Sequence, residues 1–324
     1  MNWAVVGLGG AGKGHVKQVM ETEGLKLAGV FDVSRELCSE RAKELGVKAY
    51  PSLDALAEDK GVDGVSIATP SAMHAPLAVK LLEAGKHVLV EKPFALDGAE
   101  ARAIAEAAAR KNRLALPFHN RRWDPDFRLV LDVVKSGVLG DVKVVRSTVG
   151  GPGRDSGWRL LRKFGGGRLN DWGPHLFSQV YEWFGDKPLS LAGYTCRAYP
   201  DTECEDLFAA DFVFAPDVRV SVMMSGFSHI PSARWEVWGA DGTLQLTGNI
   251  HGEFTLHWKR RDGQESQKAY RRQEVAPPVP IYPAIVEYAR TGAQPPVSLQ
   301  EGMTVAQWLE RVRDSAARTR NPVS

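Results

Sequence analysis

Short runs of Val, Ile and Leu recur through the first 120 residues, separated by longer stretches whose apolar residues return every three or four positions. The short runs are "WAVVG", "LKLAGVF", "VDGVSIAT", "HVLVE" and "RLALPF"; the longer ones include "SRELCSERAKELG", "APLAVKLLEAG" and "GAEARAIAEAAARKN". Apolar spacing near 3.6 predicts helices in the second set, while runs too short for helices and rich in branched residues predict strands in the first. Strand and helix in alternation predict a doubly wound parallel sheet. Strands apolar on both faces fit that sheet, because helices cover it on both sides.

Beyond Asn120 the rhythm changes. One helical segment, "DPDFRLVLDVVKSG", precedes a strand, "DVKVVRSTV". Longer alternating runs follow, "LFAADFVF", "VRVSVMMSGFS", "RWEVWGADGTLQLTG" and "EFTLHWKRR", joined by Pro, Gly and Asp turns. Period-two alternation predicts a mostly antiparallel sheet. An amphipathic helix from about Leu299 to Arg318 follows the Pro-rich "GAQPPVS". The fold class is therefore α/β, with one domain over residues 1–120 and a second over 121–324.

Composition narrows the partners. The chain has 324 residues and 44% hydrophobic content, enough for two cores. Its 41 basic and 39 acidic residues leave a net charge of +2, so no strong field draws in nucleic acid or an anionic membrane. Small molecules are the expected partners. Cys38, Cys196 and Cys204 show no C-x-x-C spacing, which points to a reducing compartment. With neither a secretory-type start nor an apolar run of membrane-spanning length, the expected location is cytoplasmic. No H-E-x-x-H or Cys/His cluster argues for a metal.

The stretch "VVGLGGAGKG" has the G-x-G-x-x-G pattern at Gly7, Gly9 and Gly12, after a predicted strand and before a predicted helix. The first glycine permits a tight turn, the second lets backbone approach a pyrophosphate, and the third brings helix and strand together. Leu8, Gly10 and Ala11 complete this cofactor loop, and the helix N-terminus offers free N–H groups to the anion. Asp32 ends the second strand about 20 residues beyond Gly12, where an acid would bond the ribose hydroxyls. That favours NAD over NADP, although Ser34 and Arg35 just beyond could hold a 2′-phosphate; Arg35 reads equally as a solvated residue in the first turn of the next helix. Two further loops leave strand ends on the ligand-binding edge of such a sheet. One carries Thr69, Pro70 and His74; His74 reads equally as a cofactor contact or as a capping or surface residue. The other carries Glu91 and Lys92; a lysine beside a nicotinamide can donate to a substrate hydroxyl, while taken alone it reads as a solvated charge.

In the second half, "FGGGRLNDWGPHLFSQ" places Asp171 and His175 four residues apart, on one face if the segment is helical. They could be a catalytic pair, or else a dipole-stabilised helix-start acid and a packed core histidine. Asn120, Arg121 and Arg122 lie at the predicted junction, where an arginine could contact the cofactor amide or a substrate hydroxyl. Trp158 and Arg159 precede the glycines and could line a sugar site or simply pack.

Taken together, the glycine loop, "TPSAMH", "AGKHVLVEKP" and the downstream G-G-G…D-x-G-x-H resemble the Gfo/Idh/MocA oxidoreductases over most of the chain. "FHNRRWDPDF" and "DWGPHLFSQ" are similar to the branch that contains NADP-dependent scyllo-inositol dehydrogenases. The resemblance implies a Rossmann domain followed by an α/β domain with a large open sheet used for oligomer contacts, as a homodimer or homotetramer. It also implies NAD or NADP as cofactor and oxidation of a secondary alcohol of a sugar, cyclitol or related polyol. The family's catalytic lysine falls on Lys92, and its Asp and His on Asp171 and His175. The acid often found three residues after the histidine is Ser178 here. A cofactor-binding sensor without turnover is the alternative that the fold permits.

Overall fold

Six short strands form the first sheet: β1 (Asn2–Val6), β2 (Lys26–Phe31), β3 (Lys48–Ala49), β4 (Gly64–Ile67), β5 (His87–Val90) and β6 (Ala115–Pro117). Their order is β3-β2-β1-β4-β5-β6, and every pairing is parallel. The reversal of direction on either side of β1 is the topological switch at which doubly wound sheets bind ligands. Five helices connect the strands: α1 (Gly10–Glu21), α2 (Arg35–Leu45), α3 (Leu53–Glu58), α4 (His74–Glu83) and α5 (Gly98–Lys111). The Ser34, Ser52 and Asp97 side chains accept from the first turns of α2, α3 and α5. Such caps satisfy donors that a helix cannot bond internally. The computed structural model describes residues 1–320.

The second sheet is built from longer strands. After α6 (Pro125–Lys135) come β7 (Val142–Gly150), α7 (Arg168–Phe184), β8 (Ser190–Cys196), β9 (Leu207–Phe214), β10 (Val218–Ser225), β11 (Trp235–Gly239), β12 (Gly242–Gly248), β13 (Glu253–Arg260), β14 (Glu265–Arg271) and the short α8 (Arg272–Val275). The order β14-β13-β12-β11-β7-β10-β9-β8 is antiparallel except for the β7–β10 pair. Alternate residues of the strands β9 to β12 make one apolar face, and Phe208, Phe212, Val220, Val237 and Leu244 on it are buried. Helix α7 packs there, the Phe177 ring meeting Phe208 and Phe212 edge-on.

Two helices follow, α9 (Ile281–Thr291) and α10 (Leu299–Arg320). Two compact units result: Met1–His119 with Lys163–Gly165 and Val279–Gln307, and Asn120–Arg162 with Gly166–Pro278 and the chain from Trp308 onward. In the first unit, the Tyr282 hydroxyl of α9 bonds Ser66 of β4 at 2.6 Å and His15 of α1 at 2.7 Å, and Trp3 Nε1 donates to the same Ser66 hydroxyl. Ala306, with Leu299 and Met303, joins the core around β1 and β4. Sequence reading identified neither α9, β8 nor β14. Strand β14 buries no residue and β8 only half-buries its own, so neither has the apolar alternation that marks a strand. No helix among the described residues is long and apolar enough to cross a membrane.

Candidate active site

In the first unit, the loop from β1 into α1 is shaped for close approach. Gly7 has φ +87°. A Cβ on Gly12 would overlap the Gly7 carbonyl oxygen, so the helix starts as near to the strand as two backbones allow. Around Gly9 and Gly10, by contrast, a Cβ would meet nothing within 4 Å. These two glycines border open space beside the first N–H groups of α1, which suit an anion. Asp32 closes the loop from beside it: one carboxylate oxygen accepts from Leu8 N at 2.8 Å, the other from Ser34 N at 2.9 Å. The open cradle, the helix N-terminus and the fixed acid together fit a dinucleotide's pyrophosphate and adenosine ribose.

The other predicted cofactor residues divide. The Ser34 hydroxyl caps α2 by accepting from Leu37 N, while Arg35 is exposed at the start of that helix. Thr69 and Pro70 follow β4, and the Thr69 hydroxyl oxygen is buried with no hydrogen-bond partner. His74 is buried, which removes the surface alternative, and its ring nitrogens face Pro93 O at 2.7 Å and Thr69 O at 2.9 Å. It thus ties the loop after β4 to the loop after β5. A neutral ring can donate to only one of those carbonyls. Burial nevertheless pushes the imidazole pKa down, against both carbonyls and Glu91.

Glu91 and Lys92 follow β5. The Glu91 carboxylate accepts from Lys92 N at 2.9 Å and lies 3.1 Å from His15 Nε2. Burial alone would raise the Glu91 carboxyl, but the His15 hydrogen bond and the positive charges of His15 and Lys92 hold it below its ordinary value. Glu91 is therefore bonded on both oxygens within the unit. His15 and Tyr282, its buried supports, were not found by sequence reading.

The second unit presents Asp171 and His175 one turn apart on α7. The three glycines before α7 let the chain pass close to its neighbours: a Cβ on Gly166 would overlap the Arg159 carbonyl, and one on Gly167 the Glu205 carboxylate. Arg159 Nε lies 3.6 Å from Asp171 Oδ1, and the Arg159 guanidinium covers the Trp158 ring at 4.7 Å. The Arg121 guanidinium covers Trp172 at 4.5 Å, and Trp172 meets the His175 ring edge-on at 5.7 Å. His175 is buried and Asp171 partly exposed. The Ser178 hydroxyl donates to His175 O. Asn120 opens the 3-10 turn Asn120–Trp123. Arg122 turns to Glu182, which Arg128 also bonds. The structure thus gathers Trp158, Arg159, Arg121, Asp171 and His175 around the start of α7, while the Arg122 side chain is directed at Glu182.

Comparison with known proteins identifies the family. The family described as "Oxidoreductase family, NAD-binding Rossmann fold" matches residues 1–119, and the "GFO/IDH/MocA C-terminal domain" matches residues 127–245. The Escherichia coli oxidoreductase YdgJ is 32% identical over 75% of this chain and 70% of its own. The scyllo-inositol 2-dehydrogenase (NADP(+)) IolW of Bacillus subtilis is 26% identical over 83% of this chain and 80% of its own. The crystal structure of an NAD-binding protein from Listeria innocua superposes with a TM-score of 0.88 at 28% identity, covering 98% of this chain and 95% of that one. The chain belongs to the Gfo/Idh/MocA family and is an oxidoreductase with an NAD(P)-binding Rossmann domain.

Proposed function

We propose that this dehydrogenase oxidises a secondary alcohol of a sugar, an inositol-like cyclitol or a related polyol, with Lys92, Asp171 and His175 acting on one substrate. The observation that carries the reading is α7, which holds an acid and a histidine on one face amid Trp158, Trp172 and the Arg159 guanidinium. Flat aromatic faces pack against the C–H surfaces of polyols, and the charged groups suit hydroxyls. The similarity to a scyllo-inositol dehydrogenase supports the substrate class. A bound nicotinamide would supply the acceptor for the hydride of the alcohol carbon. His175 takes the hydroxyl proton, a role to which imidazole chemistry is suited. Lys92 binds the reacting oxygen and favours its developing negative charge, and Asp171 orients the substrate or the Lys92 ammonium. Gly7, Leu8, Gly9, Gly10, Ala11 and Gly12 hold the pyrophosphate, and Asp32 the adenosine ribose. NAD is the preferred cofactor, because Asp32 repels a 2′-phosphate and the Ser34 hydroxyl is engaged in capping α2. The working form is a homodimer or homotetramer joined through the outer face of the eight-stranded sheet.

A polyol panel run with NAD and with NADP, followed by nicotinamide absorbance, tests this reading. Sustained reduction, faster with NAD, is expected; cofactor binding with no turnover on any polyol would sink it. On the substrate found, His175→Gln should lower kcat by about 10²–10⁴-fold, as loss of a positioned acid–base group does. Cofactor affinity should hold, since His175 lies outside the dinucleotide loops. Lys92→Ala should lose kcat and raise KM together.

A further inference from the structure

Helix α7 begins without a cap of its own. Its N-cap residue is Gly167, at φ 101° and ψ 154°, which has no side chain to accept from the first turn. A helix leaves its first N–H groups without internal partners, and at a partly buried end they must be satisfied from elsewhere. Here the partner comes from a residue 36 positions further along the chain: Glu205 Oε1 accepts from Leu169 N at 3.0 Å. The Glu205 backbone carbonyl takes the neighbouring donor, Arg168 N, at 3.1 Å. The place a Cβ would fill on Gly167 is taken by this same carboxylate, so the last glycine of the triplet leaves room for the cap.

Glu205 is itself held by its neighbours. Before it, Glu203 N donates to Leu160 O at 3.0 Å and the Glu203 carboxylate accepts from Arg162 N at 2.9 Å. After it, the buried Asp206 accepts from Ala198 N at 2.9 Å and Tyr199 N at 3.0 Å, while Asp206 N bonds Cys196 O. The loop between β8 and β9 is thereby tied at both ends of the short stretch that carries Glu205. A carboxylate at a helix N-terminus also meets the positive end of the macrodipole. Asp155, another acid near this corner, is paired with Arg168 at 3.1 Å. Burial pushes the Glu205 carboxyl up, with the Arg162 and Arg313 charges opposing.

We propose that Glu205 is a positioning residue: by capping α7 from the β8–β9 loop, it fixes the first turns of the helix and so the places of Asp171 and His175. This rests on the reading that those two side chains act on substrate. The acceptor oxygen sets the helix start, and a neutral amide of the same length can replace it.

Four variants in the full-length protein test this: Glu205→Ala, Glu205→Gln, Glu205→Asp and His175→Gln. Each is measured for kcat and KM, for NADH affinity by fluorescence, and for exchange of the Leu169 amide by NMR. Glu205→Ala should speed Leu169 exchange and lower kcat by about 10- to 100-fold, the scale that a displaced catalytic group costs, with NADH affinity unchanged. Glu205→Gln should restore both readouts nearly to wild type. Glu205→Asp, one methylene short of Leu169 N, should fall between them and serves if the alanine variant does not fold. Normal kcat in Glu205→Ala despite a freely exchanging Leu169 amide overturns the proposal, as does Glu205→Gln being as impaired as Glu205→Ala. His175→Gln should lose kcat with Leu169 exchange unaltered. If it keeps kcat, the catalytic reading of α7 fails; if it loses kcat while Glu205→Ala keeps it, only the positioning role fails.

Discussion

Glu91 sits one residue before Lys92, with His15 on one carboxylate oxygen and the Lys92 amide on the other. Because its carboxyl is held below the ordinary value in the folded protein, the charged form stabilises the fold above the unfolded pKa of about 4.3. That contribution is lost as pH falls through the lower, folded value. Glu91→Gln should therefore cost about 1–3 kcal/mol near pH 7, the range for weakening a buried charged hydrogen bond. The difference from wild type should shrink on acidification below about pH 4. Urea unfolding of both proteins at several pH values measures it, and a gap that widens toward acid contradicts the assignment. Lys92, Asp171 and His175 stand out as candidates because each lies in a short motif, and the roles proposed for them come from the family resemblance of those motifs. The partners that support this chemistry could not. His15 and Glu91 are far apart in the chain, as are Glu205 and Leu169, and only the folded chain brings each pair together.

Among the elements, the parallel sheet was legible because its strands are buried on both faces and read as unbroken apolar runs. The glycine loop was legible because the pyrophosphate turn restricts which residues it can hold. The edge strand β14 was not, for its sequence "ESQKAYR" buries nothing. Helix α9 starts between Pro280 and Pro283, residues that read as a turn when the packing against Ser66 and His15 is unseen. The loop's glycines also differ in what they do. Gly12→Ala should lower the melting temperature and abolish cofactor binding together, because its Cβ has no room beside the Gly7 carbonyl. Gly9→Ala meets open space in the protein, so its melting temperature should stay near wild type while NADH affinity falls by about tenfold or more, the methyl standing where backbone must approach the pyrophosphate. Thermal melts with and without NADH separate the two. Equal destabilisation of the free protein by both substitutions would mean that Gly9 shapes the fold and not the cradle.

For the whole molecule, a change of rhythm at Asn120 marks where the chain first leaves the Rossmann unit but carries no sign of its later return. Residues 279–307 belong to that unit because Tyr282, Ala306 and Leu299 meet its core, a long-range fact without a local pattern. The alternation of β7 to β13 does carry a whole-molecule consequence, through the face opposite α7. Register aligns Tyr194, Ala209, Met223 and Thr148 in one row across β8, β9, β10 and β7. Beside it, Arg146 and Glu236 pair across β7 and β11, and the Arg146 guanidinium covers Trp238 at 4.4 Å. Tyr194 is 48% and Trp238 38% exposed. A wide sheet face with an apolar row, here flanked by the Arg219–Asp211 and Arg146–Glu236 pairs, invites association unless it is covered, and a closed symmetric pairing with a second copy covers it without open-ended growth. Sedimentation at micromolar concentration should show a dimer or tetramer. Met223→Glu sets a charge in the middle of the apolar row, far in sequence from the dinucleotide loop. It should shift the protein toward monomer while leaving NADH affinity unchanged. A wild-type protein that sediments only as monomer, or a Met223→Glu variant with the wild-type assembly, would place the contact elsewhere or remove it.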